Sequence, residues 1–299
     1  MRIENLGDLN VLLLAAKHGS LTAASRELGV TPAAASAALK RMETQLGATL
    51  LERSTRSLRP TQQGRILLDY ATRAFELLAE GESLATDDGG RLVGTIRLAA
   101  PSDLTRVTLL PWLSEFLRLH SELQLNLSVS DRPLDLVRDE VDVAIRYGVL
   151  ADSRLIARQL APAEPILCAS PAYLAGHAAL TRPEDLLQHN CLSFNRAGRR
   201  HRVWRFVRDG VWTEVRIDGD RSVDDASLAR QWAVEGAGII FKTNLDVRQD
   251  LASGALVQLL PEWHSEPYPL HALLPSGRFV SGRVRALLDF LAAKFKALR

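Results

Sequence analysis

One stretch near the N-terminus, residues 20–45, constrains the fold of this chain more than any other. Ser20 and Thr31 each precede a short run of helix-forming residues, and both residue types favour the N-cap position. Gly29 lies between the two runs, where a helix commonly ends in a left-handed residue. Pro32 occupies the first position of the second run, where its missing N–H costs nothing. The pattern predicts two helices joined by a tight turn, as in a helix-turn-helix whose second helix reads the DNA major groove.

The second helix of this motif has few bulky side chains over its early turns. Alanine occupies five of the six positions from 33 to 38, so the helix backbone can approach base edges closely. Ser36 can reach a base edge or a phosphate, and alanine methyl groups can contact a thymine methyl. Lys40 and Arg41 follow and can contact phosphates. A plain helical hairpin inside a bundle uses the same small residues, and that alternative stays open on this stretch alone.

Length and composition are those of a globular protein with more than one domain. The chain has 299 residues, of which 46% are hydrophobic and 24% are charged. No apolar run approaches the roughly 18 residues of a membrane span, and the first ten residues lack the basic-then-apolar order of a signal peptide. Cys168 and Cys191 suit neither a disulfide framework nor a metal site. We therefore expect a cytoplasmic protein with no membrane partner, no metal and no cofactor.

The formal charge is distributed unevenly along the chain. Residues 1–61 contain eight Lys and Arg against five Asp and Glu, a net charge of +3, whereas the whole chain carries +2. The remaining residues therefore carry a net charge of −1. A basic N-terminal fifth on a near-neutral body is consistent with a small DNA-binding module attached to another domain.

Two further elements are predicted around the two-helix motif. Apolar residues at helical spacing over residues 8–17 predict a first helix that packs beneath the other two. After the motif, residues 49–52 and 57–59 predict a short hairpin, or wing, with Arg53 and Arg56 near its tip. Both arginines can grip phosphate or enter the adjacent minor groove, where arginine is favoured electrostatically.

With these elements in place, residues 1–65 resemble the winged helix-turn-helix of LysR-type transcriptional regulators. Many members of that family carry arginine directly after the serine of the second helix, but here the position is Ala37, so the operator preference of relatives is not carried over. The resemblance is carried by Ser36, Glu43, Leu46, Gly47, Glu52, Arg53, Thr61 and Gly64. The residues expected to contact DNA are Thr22, Thr31, Pro32, Ala33, Ser36, Lys40, Arg53 and Arg56.

A long helix is predicted after Thr61, over residues 62–85. Apolar residues alternate spacings of three and four along it, which is typical of a coiled-coil seam. The alternative is a helix that packs only on its own protein. The resemblance implies that this linker helix forms a dimer, which would place two recognition helices on two half-sites. The predicted seam consists of Leu67, Tyr70, Ala74, Leu77, Gly81 and Leu84.

The residues after the linker helix follow a different pattern. Alternating segments such as 94–100 and 141–146 predict strands, and 104–119 predicts a helix that bends at Pro111. Strands that alternate with helices predict a mostly parallel sheet, and the pattern begins again in the second half. A hairpin is predicted around Asp209-Gly210.

This part of the chain resembles the two-lobed effector domain of LysR-type regulators, which is built like periplasmic solute-binding proteins. The markers are DVAIRYG at 142–148, ASPAYL at 169–174, EDLLQHNCL at 184–192 and DLASGALVQLLPEW at 250–263. We therefore predict an α/β multidomain protein with an N-terminal winged helix-turn-helix, a long linker helix and a two-lobed α/β effector-binding domain. The predicted boundaries are 1–61 for the DNA-binding domain, 62–86 for the linker helix, 87–91 for a hinge, 92–161 and 269–299 for lobe I, and 162–268 for lobe II.

The resemblance places a small-molecule effector in the cleft between the lobes, at strand ends and helix N-termini. Helix N-termini favour anions, so an organic acid is expected, either a mono- or a dicarboxylate, held by Lys242, Thr243 and Ser102. Asp103 is unexpected at an anion site and is interpreted as a helix cap. For each residue a structural role as a cap or solvated charge stays open. The candidate effector-binding residues are Ser102, Asp103, Arg146, Asp224, Lys242 and Thr243.

No catalytic motif supports an enzyme. The seven histidines show no metal-ligand spacing, and neither a G-x-S-x-G elbow nor a Walker loop occurs. The expected function is transcription regulation, with double-stranded promoter DNA and a small-molecule effector as partners, in a homodimer or homotetramer. RNA polymerase is a further expected partner. The alternative is an architectural or repressor DNA-binding protein that uses the same winged helix-turn-helix without a ligand.

Overall fold

The chain divides into two structural units, Met1–Arg91 and Leu92–Arg299. The structure is a computed structural model that describes residues 3–53, 58–85, 92–132, 141–148, 155–196, 199–200, 202–275 and 280–298. Within these ranges, no helix has both the length and the apolar character needed to cross a membrane.

The first unit begins with three helices whose ends follow from local capping. The Ala23 N–H donates to Ser20 Oγ at 3.3 Å, and the Ala34 N–H donates to Thr31 Oγ1 at 3.1 Å. Gly29 adopts a positive φ of 66°, which lets the chain turn between the second and third helices. The two predicted N-caps are therefore confirmed. The helices are Leu6–His18 (α1), Leu21–Glu27 (α2) and Pro32–Leu46 (α3).

The wing begins two residues later than predicted, because the groups before it bond elsewhere. Leu50 N–H donates to the Glu43 carboxylate at 2.7 Å, and Leu50 C=O accepts from the Thr61 N–H at 3.0 Å. These groups are consequently not available to the two-stranded ladder. Arg56 belongs to residues 54–57, outside the described residues. The wing strands are Leu51–Arg53 (β1) and Leu58–Pro60 (β2), and the linker helix is Gln62–Ala85 (α4).

The first lobe of the second unit is built on a five-stranded sheet that is mostly parallel, as predicted, with one antiparallel strand. The first three strands of this lobe run parallel, but a late strand enters beside the third in the antiparallel direction. Alternation along each strand does not encode the end from which a distant strand enters the sheet. The strands are Gly94–Ala100 (β3), Leu123–Val129 (β4), Val143–Tyr147 (β5), Leu155–Ala161 (β6) and, from much later in the chain, Leu270–Pro275 (β15), in the order β4-β3-β5-β15-β6.

The helix predicted over 104–119 differs from expectation at its start. A π-helical segment occupies Thr105–Leu109, and Pro111 stands in the first turn of the helix that follows. The helical run is continuous from Ser102 to Leu119, and a proline at 111 cannot donate to the carbonyl of Val107, four residues earlier, which accepts from Gln249 Nε2 at 3.0 Å instead. The irregular turn therefore lies where Pro111 disrupts the helix, as the predicted bend implied. The helices of this lobe are Ser102–Leu104 (α5), Leu110–Leu119 (α6) and the C-terminal Gly282–Ala297 (α10).

The second lobe contains shorter strands and two small sheets beside a hairpin. In one of these sheets the central strand, Pro165–Ala169, runs antiparallel to both of its neighbours. The two neighbours are parallel to each other, and a six-residue helix connects them. Residues Pro183–Gln188 form a 3-10 helix. The helices are Pro171–Ala175 (α7), Ala226–Val234 (α8) and Arg248–Ser253 (α9). The strands are Pro165–Ala169 (β7), Ser193–Arg196 (β8), Arg199–Arg200 (β9), Val203–Arg208 (β10), Val211–Arg216 (β11), Ser222–Val223 (β12), Ile240–Thr243 (β13) and Val257–Leu259 (β14).

Candidate DNA-reading surface and interlobe cavity

Helix α3 has one buried and one exposed face, as a recognition helix requires. Its buried face packs through Ala35, Ala38, Leu39 and Met42 into the cores of the first unit. The small exposed residues leave the opposite face open to a groove. The predicted DNA contacts on α2 and α3 are all exposed, namely Thr22, Thr31, Pro32, Ala33, Ser36 and Lys40.

Arg41 has a role within the fold that sequence reasoning did not predict. Its Nε and Nη2 donate to the two carboxylate oxygens of Asp8 at 2.9 and 2.7 Å. Asp8 is 6% exposed, so this bidentate pair joins α3 to α1 at the edge of the core. Because Asp8 already accepts from two of its donors, Arg41 is a poorer phosphate ligand than Lys40, although both residues are exposed.

The linker helix places its predicted seam only partly on the surface. Tyr70 and Leu77 are exposed, and Ala74 is half-buried, whereas Leu67 packs against the core of its own unit. Ile66, which the sequence analysis did not select, is exposed instead. Gly81 is also exposed, and nothing is described for the side chain of Leu84. An apolar stripe with the spacing of a coiled coil is therefore present on α4.

A cavity of about 510 Å³ lies between the two lobes of the second unit. The ends of first-lobe strands form one wall, and β8, β10 and β13 of the second lobe form the other. Most of its surface is apolar, which is typical of a small-molecule site. The aromatic residues that line it are Tyr147, Phe194, Trp204, Phe241 and Tyr268.

Lys242, predicted to bind an effector carboxylate, is instead paired with carboxylates of the chain. Its Nζ contacts the Asp103 carboxylate and lies 3.9 Å from Asp246 Oδ2. Lys242, Asp103 and Asp246 all line the cavity, and each of these residues is at most 5% exposed. The interpretation of Asp103 as a helix cap is wrong, since Asp103 makes no cap bond and pairs with Lys242 and Arg230. The pKa of Lys242 is raised, because the attraction of these carboxylates outweighs its desolvation.

Asp246 is a buried acid that sequence reasoning missed. Tyr147 Oη donates to its Oδ1 at 2.7 Å, which links the end of β5 to the second lobe. Burial raises the pKa of Asp246 to about 6, and the pKa of Tyr147 also rises well above its usual value through desolvation. A signal for Asp246 existed in its spacing four residues after Lys242, but only the fold brings Tyr147 to it.

Ser102 is held by a second carboxylate that the sequence analysis did not select, that of Asp131. The Ser102 N–H donates to Asp131 Oδ1 at 2.9 Å, and Ser102 Oγ donates to Oδ2 at 2.5 Å. Asp131 Oδ2 also accepts from the Ala226 N–H at 2.9 Å. Ser227 N–H approaches Ser102 Oγ at 3.3 Å. The start of α5 and the start of α8 therefore converge on one carboxylate.

The N-terminus of α8 is tied to the first lobe by ion pairs as well. Asp225 caps the helix by accepting from the Ser227 N–H at 2.9 Å, as expected for an acid at this position, and its carboxylate also pairs with Arg106 at 3.3 Å. Asp224 pairs with Arg132 at 2.8 Å. Both acids point towards arginines of the first lobe. Desolvation opposes ionisation of Asp225, but hydrogen bonds from Ser227 and Ser102 outweigh it and lower the pKa of this carboxyl. The hydrogen bond from Arg132 lowers the pKa of Asp224.

Arg146 and Thr243 complete the predicted set, and both line the cavity. The Arg146 guanidinium donates to the Ser130 carbonyl at 2.7 Å, and desolvation lowers its pKa although Asp131 is nearby. Of the six predicted effector residues, Asp103, Arg146, Lys242 and Thr243 line the cavity, whereas Ser102 and Asp224 hold the lobes together at its edge. Among the described residues, no group of His, Cys, Asp and Glu has the arrangement of a metal site.

Family models match both units of the chain. The helix-turn-helix model of bacterial regulatory proteins of the lysR family matches residues 6–65, and the LysR substrate binding domain model matches residues 89–296.

Curated relatives match the chain from end to end. The HTH-type transcriptional regulator DmlR of Escherichia coli K12 is 32% identical over 290 residues, covering 97% of this chain and 94% of that protein. The HTH-type transcriptional activator TtdR of the same strain is 32% identical, covering 96% and 92%.

Solved structures show the same architecture. CrgA of Neisseria meningitidis, described as a LysR-type transcriptional regulator, is 29% identical and matches with a TM-score of 0.64 over 98% of this chain and 99% of that one. The Vibrio cholerae virulence activator AphB is 30% identical and matches with a TM-score of 0.59 over 97% and 99%.

Proposed function

Because this chain belongs to the LysR family of transcriptional regulators, which are not enzymes, we propose that it regulates a promoter in response to a small organic acid bound in its interlobe cavity. The observation that carries the proposal is the cavity of about 510 Å³, bounded by both lobes, in a chain that also carries a winged helix-turn-helix. A ligand that contacts both lobes binds one arrangement of the lobes better than another, and this difference in affinity is what couples the two sites.

The chemistry of the cavity favours a ligand with one acidic group and an apolar body. Lys242 is already neutralised by Asp103, so it is a poor partner for a further carboxylate. Arg146 bonds to a carbonyl oxygen and keeps its positive charge at the cavity wall. The aromatic rings of Phe194 and Phe241 offer a surface for the apolar part. We therefore propose that the acid group of the ligand contacts Arg146 and not Lys242.

The ligand half of the proposal is tested by calorimetric titration with organic monocarboxylates and their matched neutral amides. Replacing Arg146 by Gln removes a charge-assisted hydrogen bond of roughly 1.5–3 kcal/mol, so the affinity for the acid should fall about ten- to a hundredfold. Binding of the neutral amide should change little, which controls for damage to the cavity. Equal binding of acids and amides by the unmodified protein would refute the acid assignment.

The DNA half is tested by binding to an interrupted inverted repeat from the protein's own upstream region. Ser36→Glu places a charge on the small exposed face of α3 and should abolish specific binding. Lys40→Ala should lower the log–log salt slope by about 0.9, the value for one lost phosphate contact. Lys17→Ala is the matched control. It removes an exposed cation of α1, which pairs with Glu27 of α2, and should leave the slope unchanged.

The same proposal includes assembly through the exposed stripe of α4, as a homodimer or as a homotetramer made of two dimers. Two-fold pairing would present two α3 helices to the half-sites of an inverted repeat. Contact with RNA polymerase is part of the proposal only for an activating role. A ligand-independent repressor is the competing function, and it predicts that no organic acid shifts the melting temperature or changes DNA binding.

A further inference from the structure

The Asp131 side chain is held in the way that a bound carboxylate ion is held. Three donors surround its two oxygens at 2.5–2.9 Å, namely the Ser102 N–H, Ser102 Oγ and the Ala226 N–H. The donors come from different lobes, since Ser102 opens the helical segment after β3 and Ala226 is the first residue of the nine-residue helix α8. Charge-assisted bonds of this kind are the stronger class of hydrogen bonds.

The backbone around Asp131 is fixed, so the carboxylate is presented in place. The Ser130 N–H donates to the Ala100 carbonyl at 3.0 Å, and Arg146 donates to the Ser130 carbonyl at 2.7 Å. A group presented in this way has a high effective concentration at its binding position. A free carboxylate would have to displace it without gaining any donor that Asp131 does not already use.

We propose that Asp131 is a tethered carboxylate ligand of an anion subsite formed by Ser102 and the start of α8. By filling this subsite it joins the two lobes, and it excludes free carboxylates from the edge of the cavity. The second statement rests on the proposed function, because it concerns the ligand of the same cavity. The ligand class that follows is a monocarboxylate whose acid group meets Arg146. A dicarboxylate would find the second position occupied by the chain itself.

The neighbouring acid Asp224 provides a matched control. It also bridges the lobes, but its side chain is 57% exposed and its partner is the side chain of Arg132, which is 75% exposed, and not a set of backbone N–H groups. Removing Asp224 therefore deletes an interlobe charge pair without opening a pocket lined by N–H donors. A general effect of lost negative charge would appear in both Asp224→Ala and Asp131→Ala. A vacated anion subsite would appear only in Asp131→Ala.

The test is chemical rescue of full-length Asp131→Ala by acetate. Melting temperatures are compared in sodium acetate, in sodium chloride of equal ionic strength, and in chloride with acetamide, for the unmodified protein, Asp131→Ala, Asp131→Asn and Asp224→Ala. In chloride, Asp131→Ala should melt about 5 °C lower than the unmodified protein, because bonds from both lobes are lost. Acetate should recover most of this shift by mass action, and acetamide should recover none.

The other variants should gain no more from acetate than the unmodified protein does, because acetate can also reach Arg146, which all of these proteins retain. Asp131→Asn keeps a side chain in the subsite, so acetate has no space to bind. If Asp131→Ala does not fold in chloride, refolding in acetate becomes the readout, and recovery there alone supports the proposal. Equal responses of the unmodified protein and Asp131→Ala to acetate, or no recovery in either measurement, overturn it.

This experiment is independent of the proposed function, because it needs neither DNA nor an effector. Absence of rescue would reject the role of Asp131 as a tethered carboxylate, and it would not bear on effector-dependent DNA binding. Rescue combined with a promoter response to no organic acid would retain the tethered carboxylate and reject the effector.

Discussion

Lys242 and Asp103 form an ion pair between the two lobes, and both side chains are almost completely buried at the wall of the cavity. Removal of one member of a buried pair leaves an uncompensated charge, which costs far more than the pair itself contributes. Lys242 lies on β13, whereas Asp103 follows β3. The pair therefore gives Lys242 a structural role in joining the lobes.

Lys242→Met should lower the free energy of unfolding of the second unit by about 3–5 kcal/mol, the usual cost of breaking a buried pair. Asp103→Asn should be less costly, because it leaves Lys242 beside Asp246 at 3.9 Å and Arg230 beside Asp250 at 2.7 Å, whereas Lys242→Met removes the cation that Asp103 and Asp246 share and leaves Asp103 with Arg230. The double variant should lose less than the sum of the single losses. Chemical denaturation of the three variants gives these values. A Lys242→Met protein as stable as the original would show that Lys242 is free for a ligand.

The stability of the second unit should depend on the ionisation of Asp246. Burial raises the pKa of this carboxyl to about 6, so between about pH 4 and pH 6 the native state holds a proton that the unfolded chain has released. The free energy of unfolding consequently receives a contribution that falls as the pH rises through this window and is lost above pH 6. Asp246→Asn removes this contribution.

The measurement is the free energy of unfolding of both proteins from pH 4 to pH 7. The difference, Asp246→Asn minus the unmodified protein, should increase with pH and level off above pH 6. Asp209→Asn is the control, since its side chain is 90% exposed and asparagine tolerates the positive φ of that turn. A difference that does not vary with pH for Asp246→Asn would contradict the burial of a titrating acid.

Gly64 allows the linker helix to start against the wing. A Cβ at this position would lie 1.9 Å from the Leu50 carbonyl oxygen, a backbone atom that cannot move aside cheaply. Gly64→Ala should therefore destabilise the first unit by about 1–3 kcal/mol, as overpacking does, and should weaken DNA binding. The Leu50 and Leu51 N–H groups donate hydrogen bonds to the Glu43 carboxylate, and their hydrogen exchange should become faster.

Gly81→Ala is the matched control on the same helix. A Cβ there meets nothing within 4 Å, so the substitution should raise the stability of the helix by about 0.5–1 kcal/mol. Similar losses from both substitutions would mean that the close approach at Gly64 is not the cause.

Leu77 lies in the exposed stripe of α4, so Leu77→Glu should dissociate the oligomer without unfolding either unit. An unpaired charge buried in a coiled-coil interface is costly. Sedimentation velocity should show a smaller species, and operator binding should fall with it, because one recognition helix alone contacts one half-site. An unchanged sedimentation coefficient would place the interface elsewhere on the protein.

The family and the elements of the first unit were accessible from sequence because their signals are local. Ser20 and Thr31 cap helices a few residues away, and Gly29 is required where φ becomes positive. The Asp209-Gly210 turn also formed as predicted, with positive φ at both residues between β10 and β11. Such features depend on spacing within one turn of chain, and spacing is what a sequence displays.

The tertiary structure alone decided which charges meet. Asp131 reaches the Ala226 N–H across 95 positions of sequence, and the Lys242 contact with Asp103 joins a strand of the second lobe to α5 of the first. A lysine at a strand end looks the same in sequence whether it faces a ligand or a buried aspartate. The partner depends on how the lobes pack and on the cost of leaving a buried charge unpaired, and neither is written in local spacing. The sequence by itself therefore determined the capped helices of the first unit, the turns and the family, and the packing of the lobes decided which of the candidate residues are available to a ligand.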